Sequence, residues 1–155
     1  MTRFALASLL ALLLAGCGTA AGLTARPTAA PQQWSGPHSG VAEPSTRVVR
    51  DPAAWTALWQ QLDREAPPAP AWSTRMAVAV FLGQRRSAGF RLEVLATREE
   101  CGQLVITVRE QQPAPGKIVA QVLTSPWAVA VVPASPLPVV ARVRPGDPPV
   151  TSAER

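Results

Sequence analysis

The feature that most restricts the fold is an apolar run without a polar position, Met76-Ala77-Val78-Ala79-Val80-Phe81-Leu82. A run this short, with turn residues from Gly83 onward, has the length of a strand rather than a helix, and it suits a central strand covered on both faces. After residues 83–89 the pattern changes to alternation. Phe90, Leu92 and Val94 share one face and Arg91 and Glu93 the other; Leu104, Ile106 and Val108 alternate with Val105, Thr107 and Arg109. This predicts strands over about 90–97 and 103–110, joined as a hairpin through Glu99-Glu100-Cys101-Gly102. Further strands are expected at 46–50, 117–123 and 127–132. The short connections between the later strands predict a mainly β domain, an antiparallel β-sandwich or curved sheet of five or six short strands.

One N-terminal helix is expected to pack on that sheet. Asp51-Pro52 is a helix start, with Asp as N-cap and Pro at the first helical position. Ala54, Trp55, Leu58, Trp59 and Leu62 then recur at helical spacing, which predicts an amphipathic helix over 52–63 ended by Pro67, Pro68 and Pro70. The folded domain is expected over 46–140. Residues 17–45, rich in Ala, Thr, Pro, Gln, Gly and Ser, read as a flexible tether, and 141–155 as a disordered tail.

The first residues carry a different signal. Arg3 precedes residues 4–15, apolar except for Ser8, a length that suits a secretory leader and is too short to span a bilayer. The run ends in Leu14-Ala15-Gly16-Cys17, which resembles the lipobox of bacterial lipoproteins. The resemblance implies a signal peptide over 1–16, a lipid on Cys17 and a position in the cell envelope, outside the cytoplasm. An ordinary leader cut near Ala20-Ala21 is the alternative.

Charge and cysteines narrow the function classes. The chain has 15 basic and 10 acidic residues, and Lys117 is the only lysine. The arginines are scattered rather than clustered on one element with aromatics between them, which argues against nucleic-acid binding. Abundant Ala, Pro and Arg with little Lys and no Tyr looks like the product of a GC-rich genome. With Cys17 lipidated, Cys101 is a lone thiol, expected to be a tolerated turn residue rather than a reactive one. The single histidine, His38, lies in the tether, so no metal site and no cofactor is expected.

A series of motifs is similar to the C-terminal domain of the PrcB family, named for a subunit of a spirochaete protease complex. The pieces are Ser39-Gly40, Trp55-Thr56-Ala57-Leu58-Trp59, the run at 76–83, Ser87-Ala88-Gly89-Phe90, Pro113-Ala114-Pro115-Gly116, and Gln121-Val122-Leu123-Thr124-Ser125-Pro126-Trp127. Two departures remove hydroxyls: Phe90 and Trp127 stand where the family commonly has tyrosines. The resemblance implies a role in binding or stabilising an envelope partner, a protease among the candidates, without catalysis.

The residues themselves offer little chemistry. Nucleophilic catalysis needs a base within reach, and no histidine lies within 46–140. A Ser125–Lys117 pair is a formal candidate with nothing else to support it, and Glu99-Glu100 sits in a turn. No small-molecule substrate is indicated. Binding has better material. Trp55 and Trp59 belong on the face toward the sheet, whereas Trp72 and Trp127, beside prolines, are open between core and surface, and an exposed Trp near Arg is a common hot spot. The expected contact residues are Arg85, Arg86, Ser87, Gly89, Phe90 and Trp127, on loops at 83–89, 113–116 and 124–127. Alternatives of other classes are a protease inhibitor and a structural lipoprotein that touches the cell wall.

Overall fold

The computed structural model describes residues 32–146. The leader at 1–16, the Cys17 lipid site, the first part of the tether and residues 147–155 lie outside the described residues. Within them the chain is mainly β, with seven strands and one helix in the order β1 (Gln33–Gly36), β2 (Ser45–Val49), α1 (Pro52–Gln61), β3 (Arg75–Phe81), β4 (Arg91–Glu100), β5 (Gln103–Gln111), β6 (Trp127–Pro133) and β7 (Val139–Pro145).

The apolar run supplies the middle of the molecule. β3 pairs antiparallel with β6 on one side and β2 on the other, and β1 closes the far side of β6, giving the order β1-β6-β3-β2. Because side chains alternate across a strand, each central strand serves two cores. Met76, Val78, Val80 and Leu82, with Ala128, Ala130 and Val132, face a second sheet and pack on Leu92, Val94, Leu104, Ile106 and Val108. Ala77, Ala79 and Phe81, with Trp127, Val129 and Val131, face α1 and pack on Trp55, Leu58, Trp59 and Leu62. The result is three layers: helix, four-stranded sheet, three-stranded sheet.

α1 starts as its sequence requires. The Asp51 carboxylate accepts from the Ala54 N–H at 2.8 Å, and Pro52 opens the helix. It stops two residues before the expected end. Asp63 turns left-handed (φ 53°), its N–H donates to the Gln60 carbonyl at 3.0 Å, and the Arg64 N–H donates to the Trp59 carbonyl at 3.0 Å. This is a Schellman ending with Asp in the place usually held by glycine.

The second sheet has the order β4-β5-β7. β4 and β5 form the expected hairpin, with Cys101 and Gly102 both left-handed (φ 48° and 74°), the signature of a type I′ turn. β7 then lies parallel to β5, so the sheet is mixed rather than wholly antiparallel.

Three expectations are corrected. Residues 117–123 form no strand, because no neighbouring sheet edge takes up their main chain. β1 lies inside the stretch read as tether, held by register with β6 and by Trp34, whose ring meets Trp55 and Trp59 edge-on at 5.8 and 5.4 Å. β7 runs into the stretch read as tail, with Val139 and Ala141 packed against the inter-sheet core. Both edges of the folded part therefore lie further out than 46 and 140.

Candidate functional site

Two of the loops singled out in the sequence are tied into one surface. Residues 83–90 leave β3, and residues 112–126 connect β5 to β6. Arg85 and Thr124 exchange both main-chain hydrogen bonds, at 2.8 and 2.9 Å, and the Ala88 N–H donates to the Ala120 carbonyl at 2.9 Å. The Thr124 hydroxyl donates to the Ser87 carbonyl at 3.0 Å. Gly83 and Gly89 make the approach possible. Both have positive φ, a Cβ on Gly83 would meet the Ala42 carbonyl at 2.8 Å, and one on Gly89 would meet Pro113 at 3.0 Å.

The predicted contact residues divide. Arg85 points inward. Its Nε donates to Glu110 Oε1 at 3.1 Å, its terminal nitrogen donates to the Leu82 and Gln84 carbonyls at 2.9 and 3.0 Å, and the guanidinium lies 5.8 Å from the Phe90 ring centre. Arg85 therefore fastens the loop to β5, and Phe90, half-buried beneath it, belongs to the same support. Ser87 is half-buried and contributes a carbonyl to that support. Gly89 is exposed, and with Ser35, Gly36, Pro37, Phe90 and Arg91 it lines a shallow groove of about 340 Å³. Only Arg86 among the predicted side chains stands clear in solvent.

Trp127 is a correction. It is 1% exposed, in the core between sheet and helix, where its ring meets Trp59 edge-on at 5.8 Å. Its indole N–H donates to the His38 carbonyl at 3.0 Å, so the one polar atom of the buried ring is satisfied. Trp72, half-buried, meets Trp55 at 5.9 Å, so all five tryptophans join one edge-to-face cluster.

The motifs at 39–40 and 124–127 turn out to be a clasp. Ser125 Oγ accepts from the Ser39 and Gly40 N–H groups at 2.8 and 3.0 Å, and Ser39 Oγ donates to the Ser125 carbonyl at 2.9 Å. Both serines are buried. This satisfies main-chain groups where the segment after β1 crosses the start of β6. Cys101 is exposed at the closed end of the β4–β5 hairpin, at the far end from residues 90 and 112. Among the described residues no three His, Cys, Asp or Glu side chains gather.

The surface also holds side chains that the sequence reading missed. Ile118 is 98% exposed, Leu123 64% and Val122 49%, and Lys117 is exposed beside them. Neither 83–90 nor 112–124 contains a carboxylate. They were missed because 117–123 reads as a strand, and a strand paired within a sheet would have covered these side chains.

Residues 76–133 match the family model described as PrcB C-terminal. That span runs from β3 to the end of β6 and includes both loops of the surface and the β4–β5 hairpin. No curated protein and no solved structure matches the chain.

Proposed function

We propose, starting from the PrcB C-terminal-like domain at residues 76–133, that the protein is a lipid-anchored, non-enzymatic module of the cell envelope that binds or stabilises an envelope protein, with a protease as the first candidate. The observation that carries this reading is the joined surface of 83–90 and 112–124. It presents Ile118, Val122 and Leu123 to solvent beside Arg86 and Lys117, on a support fastened by Arg85 and by the Ser39–Ser125 clasp. Apolar side chains grouped in solvent with basic neighbours are what a protein-binding patch looks like before its partner arrives.

The motif Leu14-Ala15-Gly16-Cys17 supports the anchor. Acyl chains on Cys17 would hold the chain at a membrane, each buried methylene contributing about 0.8 kcal/mol. The family resemblance supports association with a protease. An inhibitor that blocks a cleft with a loop aromatic would have to present Phe90, which lies under Arg85 instead.

The test is affinity capture of the tagged protein from mild detergent extracts of the native membranes, followed by mass spectrometry. One envelope protein, a protease foremost, should be enriched, and Cys17→Ser should leave the membrane fraction. Lack of any specific companion protein would overturn the binding reading. Membrane retention of Cys17→Ser would overturn the anchor.

A further inference from the structure

We infer that residues 117–124 are an open strand edge at which an extended segment of the partner pairs main chain to main chain. The inference rests on the binding reading above and adds the mode of recognition.

The segment is built as a strand but lies outside both sheets. Ile118, Val119, Val122 and Thr124 are strand formers, and no turn or bend interrupts 117–123. One of its sides already leans on the neighbouring loop. Thr124 exchanges hydrogen bonds with Arg85, and Ala120 accepts from Ala88. These rungs fall on even-numbered residues. Successive residues of an extended chain point their main-chain groups in opposite directions, which turns those of Val119, Gln121 and Leu123 away from the loop, where the Val119 carbonyl accepts only the Gln121 side-chain amide at 3.4 Å. From Ile118 to Leu123, no main-chain N–H finds an acceptor among the described residues.

The other edges of the molecule are blunted. β1 has 4 residues and β2 has 5. β4 carries a bulge between Val94 and Ala96 and is lined with Arg and Glu. β7 follows Pro138, ends in Pro145 and carries Arg142 and Arg144. Short strands, bulges, charges and prolines are the usual protections against unwanted pairing. Residues 117–124 have one lysine at the start and no proline. An unprotected edge with exposed Ile118, Val122 and Leu123 suits strand addition, where the main chain gives affinity and alternate side chains give selectivity.

Charge narrows the occupant. Arg86 and Lys117 flank the edge without a carboxylate in either segment, so the complementary segment is apolar at alternate positions with acidic residues at its ends.

The test uses the full chain in mild detergent and a fluorescein-labelled heptapeptide, Asp-Val-Thr-Val-Thr-Val-Asp, followed by anisotropy. Saturable binding is expected. Methylation of alternate peptide nitrogens removes main-chain donors and should weaken binding by about tenfold or more. Lysine in place of both aspartates should also weaken it. Gln121→Pro removes one open N–H from the protein and should do the same, with near-ultraviolet circular dichroism of the tryptophan cluster showing that the fold is kept. Equal binding of the methylated peptide, or no saturable binding, overturns the inference. Gln121→Pro in the capture experiment separates the two readings. Undiminished capture of the partner overturns strand pairing and leaves the binding module standing, whereas absence of a partner for the unaltered protein removes the module itself.

Discussion

Arg85 and Arg86 are neighbours in the chain, yet one guanidinium bonds to Glu110 and two carbonyls while the other stands in solvent. Arg85→Ala should lower stability by about 1–3 kcal/mol, because it leaves the Glu110 carboxylate, 13% exposed, without its partner. For a domain of this size that is a fall in Tm of several degrees, readable by thermal denaturation. Arg86→Ala should leave Tm unchanged and weaken partner capture. If the two variants behave alike in both assays, the division of roles is wrong. Adjacent arginines look equivalent in sequence; only the position of Glu110, brought by β5 from 25 residues away, tells them apart. Trp127 teaches the same point. Its place after Pro126 suggested exposure, but its strand lies between two cores and buries it.

At the scale of elements, each local signal that carries its own physics reappears in the structure. The Asp51-Pro52 start and the tryptophan spacing give α1, and Glu-Glu-Cys-Gly gives a tight hairpin. The hairpin holds Cys101 left-handed, a conformation that asparagine tolerates better than most residues. Cys101→Asn should therefore raise stability by roughly 0.5 kcal/mol in denaturant unfolding and leave capture intact, since the turn lies far from the proposed surface. A loss of capture would give the thiol a function. Residues 117–123 show the converse. Their composition is that of a strand, but a strand exists only where a second chain segment supplies its hydrogen bonds, and here 117–123 receives one from that neighbour, the Ala88 N–H to the Ala120 carbonyl.

For the whole molecule, closure is the main issue. β7 covers the edge of β5 and adds Val139 and Ala141 to the core between the sheets. Ending the chain after Pro138 should strip that edge and abolish cooperative unfolding at 37 °C or shift it several degrees lower. An unchanged Tm would show that β7 is dispensable. The order of residues by itself determined that the domain is mainly β with a single capped helix, because apolar periodicity and N-capping act within a few residues of one another. The run at 76–82 likewise announced a strand covered on both faces. Only the tertiary structure decided that Trp34 pins a strand inside an apparent tether, that β7 lies parallel to β5, that Arg85 braces its loop against Glu110, and that Ile118, Val122 and Leu123 are left in solvent. The reason is physical. Burial, pairing and ion-pair partners are supplied by segments distant in the chain, and a residue's own neighbours in sequence carry no record of which segment will arrive.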